Sequence, residues 1–224
     1  MVDTRRSWAA LAQIRQGFHL FFRDSFLPPT DDRLEGMQAT ADGLDGLYVE
    51  RFPFARPWRA VIDALAHRPS LERLEDQYVE LFEVHPDDPR CEPTESSHPG
   101  ASIGVDLDAL SAEYERMGVS LSRMDSFPPD HVATEFEVMA SLCERERVAW
   151  FDGALDHVAT TVGLERDFLW RHLGLWFPEF AGAVEQHASG TVYATILEAA
   201  IAFVHHDREF VKLLSAAELE RVGS

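Results

Sequence analysis

The chain has 224 residues, 46% of them hydrophobic, and its 39 acidic and 20 basic side chains give a formal net charge of −19. This composition excludes wholesale disorder and argues against nucleic acid or an anionic membrane as the partner, because like charges repel. The acidity favours a basic ligand, although it can also serve solubility alone.

Apolar residues recur at helical spacing along the chain, and no stretch alternates as a strand would. The first helix is predicted over residues 5–26, and Pro28 and Pro29 end it. After a second, short helix, the remaining predicted helices cover residues 58–67, 71–82, 106–117, 131–151, 165–176 (stopped by Pro178) and 191–210. The fold class is therefore predicted to be all-α, a single helical domain over residues 1–224 with a long loop at about 85–105.

The most informative stretch is Phe127 to Phe151, which reads FPPDHVATEFEVMASLCERERVAWF. Pro128 and Pro129 hold the chain extended and Asp130 is a good N-cap, so the helix is predicted to begin at His131. At about 100° per residue, its apolar arc is too broad for a surface helix. We expect this helix to be wrapped by its neighbours.

Two acids, Glu135 and Glu146, project from inside this apolar arc, and a buried carboxylate needs a partner. Only a narrow strip is left to face water, and it carries Thr134, Glu137, Ser141, Glu144 and Arg145. For Glu135 the nearest local candidate partner is His131, one turn earlier. One interpretation is a structural buried pair at the start of the helix. The other is that Asp130 and His131 form the polar lip of a binding groove.

Several features indicate a cytoplasmic protein. Residues 4–14, TRRSWAALAQI, imitate a twin-arginine export signal, but the segment that follows has no unbroken apolar core, so an ordinary helix is predicted there. No apolar run approaches the roughly 20 residues that span a bilayer. The two cysteines, Cys91 and Cys143, match no metal or redox spacing and fit a reducing compartment.

Candidate catalytic groups are few. One resembles the metal motif of the all-α HD hydrolases and consists of His205, His206 and Asp207. Such a site also needs a later aspartate, and none follows in the sequence. The separations of His85, Cys91 and His98 fit no compact zinc site. These residues favour a helical binding module with no catalytic residue and no metal, and the alternative is a metal-dependent phosphohydrolase of HD type.

Three segments occur in a characteristic order. They are DQYVELFEV at Asp76–Val84, PPDHVATEFEVMASL from Pro128 onward, and FLWRHLGLWFPEF at Phe168–Phe180. They are similar to the patterns D-Y-x-x-L-F, P-P-D-H-hydrophobic-A-x-E-L-x-F-M and F-L-x-x-H-L-x-x-W-x-P-x-F. Together they resemble the TorD/DmsD/NarJ family of redox-enzyme maturation chaperones over about residues 70–206.

The resemblance implies a TorD-like helical bundle that is not an enzyme. It implies a partner, the catalytic subunit of a molybdopterin oxidoreductase, bound through its twin-arginine signal peptide. The chaperone is then expected to hold the apo subunit for cofactor insertion before export. The molybdenum cofactor is expected on the client, with no cofactor on this chain. Neither a nucleic acid partner nor a membrane span is expected.

The resemblance also implies a client-binding site. A signal peptide offers two arginines beside an apolar helix-forming stretch, which suits acids beside an aromatic surface. The polar part of the site is expected at Pro129, Asp130 and His131. The candidate apolar wall consists of Tyr78, Phe82 and Trp176, which could equally be core.

One loop departs from the family pattern. The usual P-P-Y-E-S-V-Y is replaced by EPTESSH at residues 92–98, so both tyrosines are lost. Glu95 and Ser96 alone carry over as expected client contacts. Glu135 matches the family signature and is expected to be a structural buried acid.

Overall fold

The computed structural model describes residues 4–45, 49–67, 69–84, 88–98, 105–120 and 127–222. Over these ranges the chain forms helices and no β-strand, so the predicted all-α fold class is confirmed. The helices are α1 (Thr4–Ser25), α2 (Asp31–Asp45), α3 (Ala55–Ala66), α4 (Leu71–Tyr78), α5 (Leu107–Met117), α6 (Val132–Asp152), α7 (Leu155–Arg171), α8 (Leu173–Glu185) and α9 (Val192–Val222). A π-helical turn at Val79–Glu83 extends α4. The described part of the predicted loop, residues 88–98, contains two 3-10 turns, Pro89–Cys91 and Glu95–Ser97.

Helices α1 and α6 lie at the centre and pack against each other, while α7, α8 and α9 complete the bundle. Their interface is aromatic: the Phe136 ring lies 5.7 Å from that of Phe22 and 5.9 Å from that of Phe26. Trp58 of α3 meets Phe18 edge to face at 4.8 Å. Each fully buried ring contributes roughly 1.5–3 kcal/mol. Among the described residues, no helix is long and apolar enough to cross a membrane.

As predicted, α6 is wrapped by its neighbours, and every residue over 132–140 is buried. The prediction that a strip of α6 faces water is wrong at Thr134, which is 0% exposed. Its hydroxyl donates a hydrogen bond to the carbonyl oxygen of Pro128 at 3.1 Å, which satisfies this polar group inside the fold. Glu137 is likewise buried.

The start of α6 also differs from the prediction. The helix begins at Val132, and its N-cap is His131 rather than Asp130. The ring Nδ1 of His131 accepts a hydrogen bond from the backbone N–H of Ala133 at 3.1 Å. Histidine therefore supplies the acceptor that a capping carboxylate usually provides.

The helix predicted over residues 165–176 is in fact the end of α7 and the start of α8, which meet at His172 (φ −126°, ψ −110°). Pro178 does not stop this helix, because it lies inside α8. A proline has no N–H to donate to the carbonyl four residues earlier, here that of Gly174. That carbonyl accepts instead from Nη1 of Arg208 at 3.1 Å, so α8 continues without an unpaired acceptor.

Gly174 is predicted to tolerate no side chain. A Cβ there would lie 2.3 Å from the Leu169 carbonyl oxygen. Because backbone would have to move, we expect Gly174→Ala to lower the free energy of unfolding by about 1–3 kcal/mol, measured by urea unfolding. Gly182→Ala is the matched control in the same helix, since nothing lies within 4 Å of its Cβ. It should be neutral or slightly stabilising, and equal losses in both variants would contradict the close contact.

Candidate functional site

The loop that carries Glu95 and Ser96 lies against the start of α6. The N–H of Val132 donates to the Pro93 carbonyl at 2.8 Å, and the N–H of Glu95 donates to the Asp130 carbonyl at 2.9 Å. The Asp130 carboxylate adds a third bond, accepting from the N–H of Ser96 at 3.0 Å. Asp130 therefore holds the loop, which explains why it does not cap the helix.

The predicted polar lip is not exposed, since Asp130 and His131 are 1% and 3% exposed. The His131 ring packs on Phe127 with centroids 4.6 Å apart. Burial lowers the pKa of His131 to about 4, so its imidazole is neutral at physiological pH. Pro129 is half-buried, and its carbonyl oxygen accepts from the Tyr114 hydroxyl at 2.9 Å. These residues form the floor beneath the loop, and of the predicted loop contacts only Ser96 is exposed.

Glu135 is 0% exposed, but His131 is not its partner. The indole N–H of Trp176 donates to Glu135 Oε2 at 2.9 Å. Burial, and then the charge of Glu95, raise the pKa of Glu135 well above its usual value, which favours the neutral acid. Glu95 is itself 1% exposed, and its Oε2 lies 3.0 Å from Nδ1 of His172. We call Glu95, Glu135, His172 and Trp176 the carboxyl cluster, and it joins the loop to α6 and α8.

The predicted apolar wall is core, because Tyr78, Phe82 and Trp176 are 4%, 8% and 0% exposed. The ring of Phe180 connects two of them, with centroids 6.1 Å from Phe82 and 5.7 Å from Trp176. The hydroxyl of Tyr78 donates a hydrogen bond to the carbonyl oxygen of Phe26 at 3.4 Å. The structure brings the wall and the carboxyl cluster together but turns both inward, so neither offers these side chains to a ligand at the surface.

The loop keeps its place without the two family tyrosines. His98, at the second tyrosine position, is 0% exposed and stacks on Trp176 with centroids 5.1 Å apart. Its Nε2 lies 3.2 Å from the carbonyl oxygen of Glu92, and burial lowers its pKa, which favours the neutral ring. The hydroxyl of Thr94, at the first position, lies 2.9 Å from that of Ser97. An imidazole thus occupies the position of the family's second tyrosine.

An exposed acidic strip that the sequence analysis did not single out lies on the outer face of α4 and its π turn. The inner face of α4 buries Leu74, Gln77 and Tyr78 against the core. The strip lines a surface groove and consists of Glu75, Asp76, Val79, Glu80 and Val84. Its two valines, Val79 and Val84, are 39% and 60% exposed. Helical periodicity could have predicted the exposure of this strip, because its residues lie opposite the apolar face of the helix.

A second buried polar cluster lies toward the other end of α6. Arg15 of α1 contacts acids from three other helices, at 2.6 Å to Glu146, 2.7 Å to Glu165 and 2.5 Å to Asp207. Burial raises the pKa of Glu165 to about 8 in spite of the arginine charge, so this acid is mostly neutral at pH 7. Against the effect of burial, Arg15 lowers the pKa of Asp207. We call these four residues the arginine cluster.

The arginine cluster removes the basis of the HD interpretation. The second carboxylate oxygen of Asp207 lies 2.9 Å from Nε2 of the buried His19, so both of its oxygens are paired inside the protein. His205 is exposed, while His206 packs its ring on Phe52 at 5.4 Å. The three residues of the HD-like triplet therefore lie in different surroundings. Their adjacency in sequence does not produce a common metal site.

The chain is similar to known proteins in both sequence and fold. A family model described as nitrate reductase delta subunit matches residues 52–182. The chain is 34% identical over 146 residues to the chlorate reductase assembly chaperone protein of Ideonella dechloratans, covering 64% of this chain and 74% of that protein. It is 34% identical over 173 residues to the selenate reductase assembly chaperone protein of Thauera selenatis, covering 72% and 83%. A crystal structure described as a redox enzyme maturation protein from Archaeoglobus fulgidus matches with a TM-score of 0.51 and 25% identity, covering 88% of this chain and 93% of that chain.

The carboxyl cluster predicts different effects for two substitutions of one acid. Glu135→Gln keeps an oxygen that accepts from Trp176 and introduces no charge, so its free energy of unfolding should stay within about 1 kcal/mol of the parent. Glu135→Ala leaves the buried indole N–H without an acceptor and should cost about 1–3 kcal/mol. Chemical unfolding measures both. A glutamine variant as unstable as the alanine variant would show that the cluster requires an ionised carboxylate.

Glu165 predicts a pH-dependent difference in stability. Its pKa is about 8 in the folded chain, against an ordinary value of 4.5. The folded state therefore retains a proton between these two values, and stability falls as pH rises through that range. Glu165→Gln removes the titration but keeps an oxygen for Arg15. We expect the melting temperature of the variant, measured relative to that of the parent, to increase as pH rises from about 6 to about 9. A difference that does not vary with pH would contradict a neutral Glu165.

Proposed function

This chain belongs to the nitrate reductase delta subunit family, which comprises redox-enzyme maturation chaperones of the TorD/DmsD/NarJ type, and on that premise we propose that it is the dedicated chaperone of a molybdopterin oxidoreductase. It binds the signal peptide and the apo form of the catalytic subunit and holds them for cofactor insertion before twin-arginine export. The resemblance found in three sequence motifs is confirmed by the family match. Two relatives named as assembly chaperones support a role in assembly rather than in catalysis.

The acidic strip is the observation that carries the binding proposal. Glu75, Asp76 and Glu80 are exposed beside Val79 and Val84. A peptide with two arginines next to an apolar helix-forming stretch matches this surface in both charge and polarity. Guanidinium groups pair with carboxylates in two parallel hydrogen bonds, which favours arginine over lysine. The strip therefore takes the role that the sequence assigned to a polar lip.

Asp130 and His131 remain proposed determinants of client binding, but as positioning residues. Asp130 fixes the loop through Ser96, and His131 caps α6. In this proposal the client meets the loop surface, including Ser96, while the buried residues keep that surface in place. In this proposal the molybdenum cofactor enters the client and is not held by this chain. Because the signal peptide is read before export, the proposed site of action is the cytoplasm.

The test is a titration of a fluorescent synthetic peptide. The peptide carries the signal sequence of the molybdopterin oxidoreductase encoded beside this chain. We expect binding that weakens as salt rises, since part of the attraction is electrostatic. The double variant Asp76→Asn with Glu80→Gln should bind about fivefold more weakly, because two exposed charges are lost.

The matched control removes two exposed acids elsewhere, by Glu185→Gln and Glu198→Gln on α8 and α9. It changes the net charge equally and should leave peptide affinity within about twofold of the parent. If both double variants bind the peptide equally weakly, the weakening comes from net charge, and the acidic strip is not the binding surface. Absence of binding by the parent would contradict the proposed function itself.

A further inference from the structure

We infer that Asp88, Cys91 and His187 form a binding site for a divalent transition metal of the zinc type. One ligand atom from each residue, a carboxylate oxygen, Sγ and an imidazole nitrogen, lies within 4.8 Å of the other two. Thiolate, imidazole and carboxylate together are the donor set that zinc and cobalt prefer. The site is independent of the proposed chaperone function and of the acidic strip.

The sequence did not predict this group, because its members lie on two elements far apart in the chain. Asp88 caps the start of the 3-10 turn Pro89–Cys91 and Cys91 ends it, while His187 follows the end of α8. The zinc combination considered from the sequence used Cys91 with His85 and His98. His98 is occupied by its stacking on Trp176, and His85 lies outside the described residues.

Local hydrogen bonds prepare the backbone of the site. The Cys91 N–H donates to the Asp88 carbonyl at 3.0 Å, and the His187 N–H donates to the Val184 carbonyl at 2.9 Å. Asp88 also accepts from the backbone N–H of Arg90 at 3.1 Å. The turn and the end of α8 are therefore each held in place by local hydrogen bonds.

Arg90 would compete with a metal for Asp88. Its guanidinium donates to both Asp88 oxygens, at 2.9 and 2.8 Å. One oxygen can bind the ion while the other keeps the arginine, which then orients the ligand from the second shell. The Cys91 thiol gives up its proton to the solvent when sulfur binds the metal, so affinity must rise with pH.

A tetrahedral zinc ion takes four ligands. Three protein ligands leave a fourth position for water or for a group from a partner. Cys91 is 1% exposed, whereas His187 is on the surface, so the ion enters past His187. A bound metal would tie the turn before the Glu95 loop to α8.

The test uses Co²⁺ titrated into the full chain after treatment with a chelator. We expect one Co²⁺ per chain, with thiolate-to-cobalt charge-transfer absorption that Zn²⁺ abolishes by competition. His187→Ala and Cys91→Ser should each lower affinity at least about tenfold, and Cys91→Ser should also abolish the charge-transfer band. Because His187 is exposed, its variant should fold even if Cys91→Ser does not.

The controls are His205→Ala, an exposed histidine on α9, and Cys143→Ser, a buried thiol beside the arginine cluster. Both should bind Co²⁺ like the parent. Absence of the charge-transfer band in the parent would overturn the site, and so would an unchanged affinity in His187→Ala. Loss of binding in His205→Ala would overturn it as well. Peptide binding by the same preparations is measured separately, so failure of the metal site leaves the chaperone proposal intact.

Discussion

The structure depends on the desolvation of two carboxyl groups on its central helix. Because α6 is wrapped by its neighbours, Glu135 and Glu146 are 0% and 1% exposed and must be satisfied by the protein itself. The protein satisfies these two carboxyl groups with different partners. The pKa of Glu135 rises through burial and the nearby Glu95 charge, and the acid accepts from Trp176. Glu146 keeps an ionic contact with Arg15 and also accepts from the indole of Trp150.

The two buried clusters that contain these acids connect most of the helices. The arginine cluster joins α1, α6, α7 and α9, and the carboxyl cluster joins the 92–98 loop to α6 and α8. A buried ion group adds little net stability compared with apolar packing, but removal of one partner strands a charge. Such clusters therefore specify one helix arrangement. This explains how a residue like Asp207, which looks catalytic in sequence, can be structural.

The residues that carry the family resemblance lie mostly inside. Asp130, His131, Glu135 and Trp176 build the floor, the cap and the cluster, and none is exposed beyond 3%. In the proposed function, client recognition falls to exposed surface, namely the loop around Ser96, which these residues hold in place, and the outer face of α4. This division is physically reasonable, because a binding surface held by a rigid interior loses less entropy when a peptide docks.

The sequence by itself determined the helical class, the approximate helices, the wrapped character of α6 and the burial of Glu135, because periodicity reports which face of a helix is apolar. It could not determine partners. Glu135 pairs with Trp176, 41 residues away, rather than with its neighbour His131. Asp130 does not cap the helix, because its carboxylate accepts from the Ser96 N–H of the loop. Pro178 stays inside α8, because Arg208 donates to the Gly174 carbonyl that the proline leaves without a donor. Tertiary structure decided each of these, since a buried polar group bonds to whatever the packing brings within reach, and sequence separation does not limit that choice.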